Sequence, residues 1–147
     1  MKQKIRMTDI VNASSFDVWK ALTVPALMKL WAAEPELALE IITDWMEGGP
    51  IIMKGFHHIH FENKGRVLKF EPYTILQYNF LSSLSRLPDR PENYTTVTFK
   101  LAPLENQTSL TLTLSNFPTE TIYKHIDFYW RTTFGIIKNV VEKQFGI

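Results

Sequence analysis

Two stretches of strict alternation run straight into a long helical period, and that junction restricts the possible folds more than any other feature. Thr95, Val97, Phe99 and Leu101 alternate with Thr96, Thr98 and Lys100, and Leu110, Leu112 and Leu114 alternate with Thr111, Thr113 and Ser115. A period of two sends successive side chains to opposite faces, so both runs predict half-buried antiparallel strands with Asn106 at the turn between them. From Thr119 to about Gln144 the period becomes helical, with Ile122, Ile126, Tyr129, Trp130, Thr133, Phe134, Ile137, Val140 and Val141 on one wide apolar face. A helix this apolar must be embraced by a sheet. The expectation is an α+β fold in which a curved antiparallel sheet of about six or seven strands wraps a long C-terminal helix.

The first half of the chain supplies the remaining pieces. Residues 3–11 alternate, with Ile5, Met7, Asp9 and Val11 on one face, and predict a first strand. Ser14 with Asp17 three residues on forms an N-terminal capping arrangement for a helix from about 15 to 23, carrying Val18, Trp19 and Leu22. Pro25 suits the first turn of a second short helix with Leu27, Leu30 and Trp31, because its missing N–H would be unpaired there anyway. Leu37–Ile42 and Ile51–Lys54 read as strands on either side of Gly48-Gly49-Pro50, and Gly55 reads as a further reversal. His58–Glu71 then forms a long strand interrupted near Gly65, and Tyr73–Leu81 the next. Ser82–Asn93, with Pro88 and Pro91, is the one irregular loop, either functional or a connector.

Composition narrows the classes of function. With 147 residues, 45% hydrophobic and 21% charged, the chain is expected to form a single domain, residues 1–147, burying roughly two-thirds of its unfolded surface. A net charge of +1 without a basic run interleaved with aromatics argues against nucleic acid as a partner. The absence of cysteine excludes disulfides and thiolate zinc sites. Met1–Val11 has no uninterrupted apolar stretch of the signal-peptide kind, and Lys138 and Asn139 break the last apolar runs, so a cytoplasmic protein without a membrane span is expected. Aromatic residues reach 13%, including 10 Phe and 4 Trp, and such a surplus either lines a pocket or fills a solid core.

Particular residues carry a family resemblance over nearly the whole chain. The run Ala13-Ser14-Ser15-Phe16-Asp17-Val18-Trp19-Lys20-Ala21-Leu22-Thr23, then Pro25 and Leu30-Trp31, resembles the opening of the SRPBCC superfamily, the START-like or Bet v-like helix-grip fold. More narrowly the chain is similar to the bacterial branch related to the activator of heat-shock protein 90 ATPase. Gly48-Gly49, Gly65-Arg66-Val67, Glu71-Pro72, Phe117, and His125 followed by Trp130 extend the likeness. Two departures stand out: Val24 replaces the polar residue that usually caps the second helix, and Tyr129 replaces a glycine before the tryptophan, which shrinks any cavity. The resemblance implies a helix-grip domain; the same fold hosts carriers, receptors, enzymes and co-chaperone domains, including proteins of the stress response.

Candidate site residues follow from placing the sheet's concave face against the last helix. Leu68, Phe70, Tyr78, Phe80, Val97, Phe99, Leu112 and Leu114 would confront Trp130, Phe134 and Ile137, with Trp31 and Trp45 near the mouth and Phe117 completing the lining. Such a surface suits a small apolar or aromatic ligand, possibly a lipid, held by a few polar anchors, here His58, His60 and Tyr78. For each ring the competing reading is ordinary core packing. His57, His58 and His60 offer two imidazoles on one strand face but no third ligand, so no metal and no cofactor are expected. Neither G-x-S-x-G nor cysteine is present for a nucleophilic triad, while acid–base chemistry on His58, His60, Glu62 or Tyr78 stays open. Three readings therefore stand: a ligand-binding protein, a module binding a chaperone, and a cyclase- or hydrolase-type enzyme. Homodimerisation through strand edges or the 82–93 loop fits any of them.

Overall fold

The computed structural model describes residues 3–146, the side chain of His57 excepted. Seven strands form one antiparallel sheet: β1 (Lys4–Val11), β2 (Glu40–Thr43), β3 (Pro50–His57), β4 (Ile59–Glu71), β5 (Ile75–Ser82), β6 (Thr95–Leu104) and β7 (Gln107–Ser115). Their spatial order is β1-β7-β6-β5-β4-β3-β2. Helices α1 (Ser15–Thr23) and α2 (Pro25–Ala32) follow β1, and α3 (Glu120–Phe145) closes the fold. This is the expected helix-grip architecture.

The two alternations that framed the sequence form its centre. Val97, Phe99 and Leu101 stand opposite Leu114, Leu112 and Leu110 across β6 and β7, all buried. The hairpin turns at Glu105 and Asn106, with Glu105 at φ 53. Against this face α3 lays Ile126, Trp130, Thr133, Phe134, Ile137 and Val141. Glu142 of α3 accepts the backbone N–H of Asn12 at 2.8 Å, and Lys138 pairs with Asp9 at 3.5 Å, so the end of β1 is fastened to the last helix.

The short helices obey their capping chemistry. Ser14 accepts the Asp17 N–H at 3.2 Å and starts α1. Val24 starts α2 with no side-chain hydrogen bond, as its apolar side chain requires. At the end of α1, Ala21 C=O faces the position of Pro25, which has no N–H to give; the indole of Trp31 donates to it at 2.9 Å instead. Trp45 does the same for Thr23 C=O at 2.7 Å. Two tryptophans thus satisfy carbonyls that a helix end leaves unpaired.

Four details depart from the sequence reading. β3 runs through Gly55, and the reversal falls at His58, which has φ 64. Gly55 serves close packing instead: a Cβ there would stand 2.8 Å from Leu37 O and 3.0 Å from the Phe61 ring. Leu68 points outward, 39% exposed, because the β4–β5 register shifts between Val67 and Lys69; the extra residue brings Val67 and Phe70 onto the inner face. Residues 35–37 make a 3-10 turn before β2, which is only four residues long. Tyr73 belongs to the β4–β5 turn at φ 67 and packs on Phe16 and Trp19.

The 82–93 loop is fixed in place. Asp89 pairs with Lys64 of β4 at 2.7 Å and accepts the Tyr94 hydroxyl at 2.6 Å, while Asn116 donates to the carbonyls of Glu92 and Tyr94. Two 3-10 turns, Ser83–Ser85 and Pro91–Asn93, bracket it.

Candidate functional site

The aromatic surplus gathers in two groups between sheet and helices. Trp31, Phe99 and Trp130, one each from α2, β6 and α3, meet with ring centroids 6.0 to 6.4 Å apart. Beside them Trp45 stacks on Phe70 at 5.6 Å and meets Tyr78 edge-on at 6.5 Å. Trp19 of α1, absent from the expected lining though it lies on the apolar face of a helix legible in the sequence, meets Phe70 edge-on at 5.2 Å. Leu112 and Phe134 are buried behind these rings and Phe80 packs at their margin. Phe117 is buried but pairs with Tyr123, at 5.0 Å, where the chain enters α3. Trp31, expected at the mouth, is 3% exposed and sits inside.

The histidines are elsewhere. His58 and His60 occupy the exposed end of the β3–β4 hairpin, where His60 meets Phe56 edge-on at 5.0 Å. His60 lines an open recess of about 690 Å³ with Lys54, Phe56 and Glu62; a second of about 260 Å³ adjoins it beside Lys64 and Asp89. Among the described residues no three His, Asp or Glu side chains converge as metal ligands.

Tyr78 is the polar group left among the inner rings. Burial pushes its phenol well above the ordinary tyrosine range, with the neighbouring Tyr129 adding to the effect. Its hydroxyl makes no hydrogen bond to another described residue. Near it Tyr129 donates its hydroxyl to Ala32 O at 2.5 Å, tying α3 to the end of α2. Tyr129 is 38% exposed as a residue, and desolvation of its part-buried hydroxyl raises its pKa. This bond fastens α3 to α2 beside the aromatic interior.

An open seven-stranded sheet gripping a long helix, with two short helices after the first strand, defines an SRPBCC-type α+β domain. Residues 12–142 match the family described as Activator of Hsp90 ATPase homolog 1-like protein, and the chain belongs to that family. A protein from Cytophaga hutchinsonii, solved in solution, is 33% identical with a TM-score of 0.80, over 98% of this chain and 97% of that one. A Chromobacterium violaceum protein superposes with a TM-score of 0.80 at 20% identity, covering 95% and 96% of the two chains. The Aha1 dimer from Colwellia psychrerythraea gives a TM-score of 0.72 at 23% identity, over 95% of this chain and 96% of that one. The last two likenesses are of fold alone. No curated protein matches the sequence significantly. No helix among the described residues is long and apolar enough to cross a membrane.

Proposed function

We propose that this chain, as a single cytoplasmic START-like domain, binds a small apolar or aromatic molecule between its sheet and α3. Tyr78 supplies the polar handle. The observation that carries the reading is this buried phenol, edge-on to Trp45 where Trp45 stacks on Phe70, whose hydroxyl makes no hydrogen bond to another described residue. A ring used only for packing is served as well by phenylalanine, whereas a phenol in this position gives an entering molecule a hydrogen bond in an apolar setting. Tyr129 closes the site, so a ligand enters by parting its bond to Ala32. His58 and His60, exposed on the hairpin, take no part in this site.

The test is a fluorescent apolar probe titrated into wild type, Tyr129→Ala and Tyr78→Phe, beside native mass spectrometry of protein purified from its own cell. Probe binding that tightens in Tyr129→Ala and weakens in Tyr78→Phe supports the reading. No bound compound and no probe binding by any of the three refutes it.

A second reading, a chaperone-binding module, has its own observation: Phe128 projects from α3 with 77% of its surface exposed, and Ile136 is exposed further along the same helix. Stimulation of the host heat-shock protein 90 ATPase, lost in Phe128→Ser, would establish it. Absence of both binding and stimulation would remove it.

A further inference from the structure

Trp45 holds a place that a molecule of its own shape could take. Its backbone lies at φ 58, the left-handed region that a bulky side chain enters only under constraint. The constraint is visible: the indole stacks on Phe70 with planes 26° apart, meets Tyr78 edge-on, and donates its N–H to Thr23 O. The main chain is bent to suit, with Trp45 N–H on Thr43 Oγ1 and Met46 N–H on Asp44 Oδ1, both at 3.0 Å. Trp45 is only half-buried, and Met46 beside it is 65% exposed, so the loop reaches its position from outside. Trp31 is the contrast. It caps the same helix end, but it is buried and its backbone is free of left-handed strain.

Resting on the reading that this aromatic space takes a small ligand, the geometry points to Trp45 as a built-in occupant of the ligand's own subsite, displaced by indole-class compounds: flat bicyclic aromatics with one ring N–H. The class follows from what Trp45 leaves behind. Phe70 and Tyr78 keep a slot for a flat ring, and Thr23 C=O loses its donor. A hydrocarbon of the same size fills the slot but leaves that part-buried carbonyl with water at best, whereas a ring N–H restores the bond. Departure of Trp45 also frees its backbone from the left-handed region. The Tyr78 hydroxyl then meets any polar substituent on the entering ring.

Free indole, with benzofuran as the comparator of equal shape lacking the N–H, is titrated into the full chain while the indole N–H resonances are followed by NMR. The Trp45 resonance is the one lost in Trp45→Phe. Indole is expected to move it toward the position of a solvent-exposed indole while Trp31 stays in place, and to bind about tenfold more tightly than benzofuran, the worth of one hydrogen bond. Trp45→Gly, which suits the left-handed backbone and leaves the subsite empty, should bind indole at least about tenfold more tightly than wild type. Indole binding that leaves Trp45 unmoved, equal binding of benzofuran, or no gain in Trp45→Gly would overturn the inference. If the fluorescent apolar probe binds wild type while indole does not, the ligand site survives and its self-occupation falls. If neither binds, both fall together.

Discussion

Replacing Trp31 by phenylalanine tests the claim that tryptophan side chains complete the end of α1. The substitution keeps a flat ring against Phe99 and Trp130 but removes the N–H that Ala21 C=O accepts at 2.9 Å in a buried position. No backbone donor can take over, because the residue four places on is Pro25. A buried carbonyl stripped of its partner costs about 1–3 kcal/mol. The lost edge of the indole leaves a void of about 40 Å³, worth roughly 1 kcal/mol at about 24 cal/mol per Å³. Together these give about 2–4 kcal/mol. A chain of 147 residues gains about 0.3 kcal/mol/K of entropy on unfolding, so the melting temperature should fall by about 6–13 °C. Trp45→Phe removes a formally identical bond, but Thr23 C=O is only partly buried and water can replace the indole, so its cost should stay near about 0.5–1.5 kcal/mol. Urea and thermal denaturation of both variants decide the matter. Equal costs, or a Trp31→Phe penalty below about 1 kcal/mol, would refute the capping argument.

Other substitutions probe separate features. Gly65→Ala would set a Cβ 1.8 Å from Asn79 O, forcing β4 and β5 apart at a cost of about 3 kcal/mol or more, read as loss of soluble, cooperatively melting protein. Gly135→Ala meets open space in the middle of α3 and should stabilise by about 0.5–1 kcal/mol in urea titration; a loss would mean that the helix face is covered. Val24→Asp offers the uncapped start of α2 a side-chain acceptor and should add about 1 kcal/mol, whereas no gain would show that Val24 O already satisfies the first turn through Leu27 and Met28. Asp89 is held below its ordinary carboxylate pKa first by its bond from Lys64 and then by Tyr94, so its anchoring of the 82–93 loop is present above the ordinary value and fades as pH falls through the lowered one. In Lys64→Met the Asp89 carboxyl, followed by NMR, should titrate nearer its ordinary range; an unchanged midpoint would show that the pair has no grip on the loop.

Legibility in the sequence tracked the range of the forces involved. The β6 and β7 alternations, the α3 stripe and the Ser14 cap are local patterns, and each element formed where its period placed it. The departures involve partners distant in sequence. Gly55 looks like a turn until Leu37 and Phe61 are seen to crowd it, and the outward Leu68 follows from a bulge set by pairing with β5. For the site, residue types were legible and positions were not. Tyr78, Trp45 and Phe70 converge because β5, β4 and the β2–β3 loop meet there, while Trp31 joins Phe99 and Trp130 beside them. His58 and His60 looked like polar anchors only while the length of the β3–β4 hairpin was unknown. The helix-capping role of Trp31 does have a local signal in retrospect: a proline four residues after Ala21 leaves a carbonyl in need of a donor.

The β1–β7 pairing carries a consequence for how the molecule is made. Among the described residues β1 pairs with β7 alone, and Thr8 and Thr111, hydrogen-bonded across that pair, are 103 residues apart. At the pace of synthesis β1 leaves the ribosome about 5–20 s before the strand it needs. During that interval β1, with Ile5, Met7 and Val11, lacks the strand it pairs with, and α1 and α2 can pack only on the strands already made. The grip on α3 cannot precede its arrival, and the Asn12 to Glu142 bond is among the last to close. Each new copy therefore spends its synthesis with an apolar strand uncovered, and its yield in the cell depends on what shields that strand until the far end of the chain emerges.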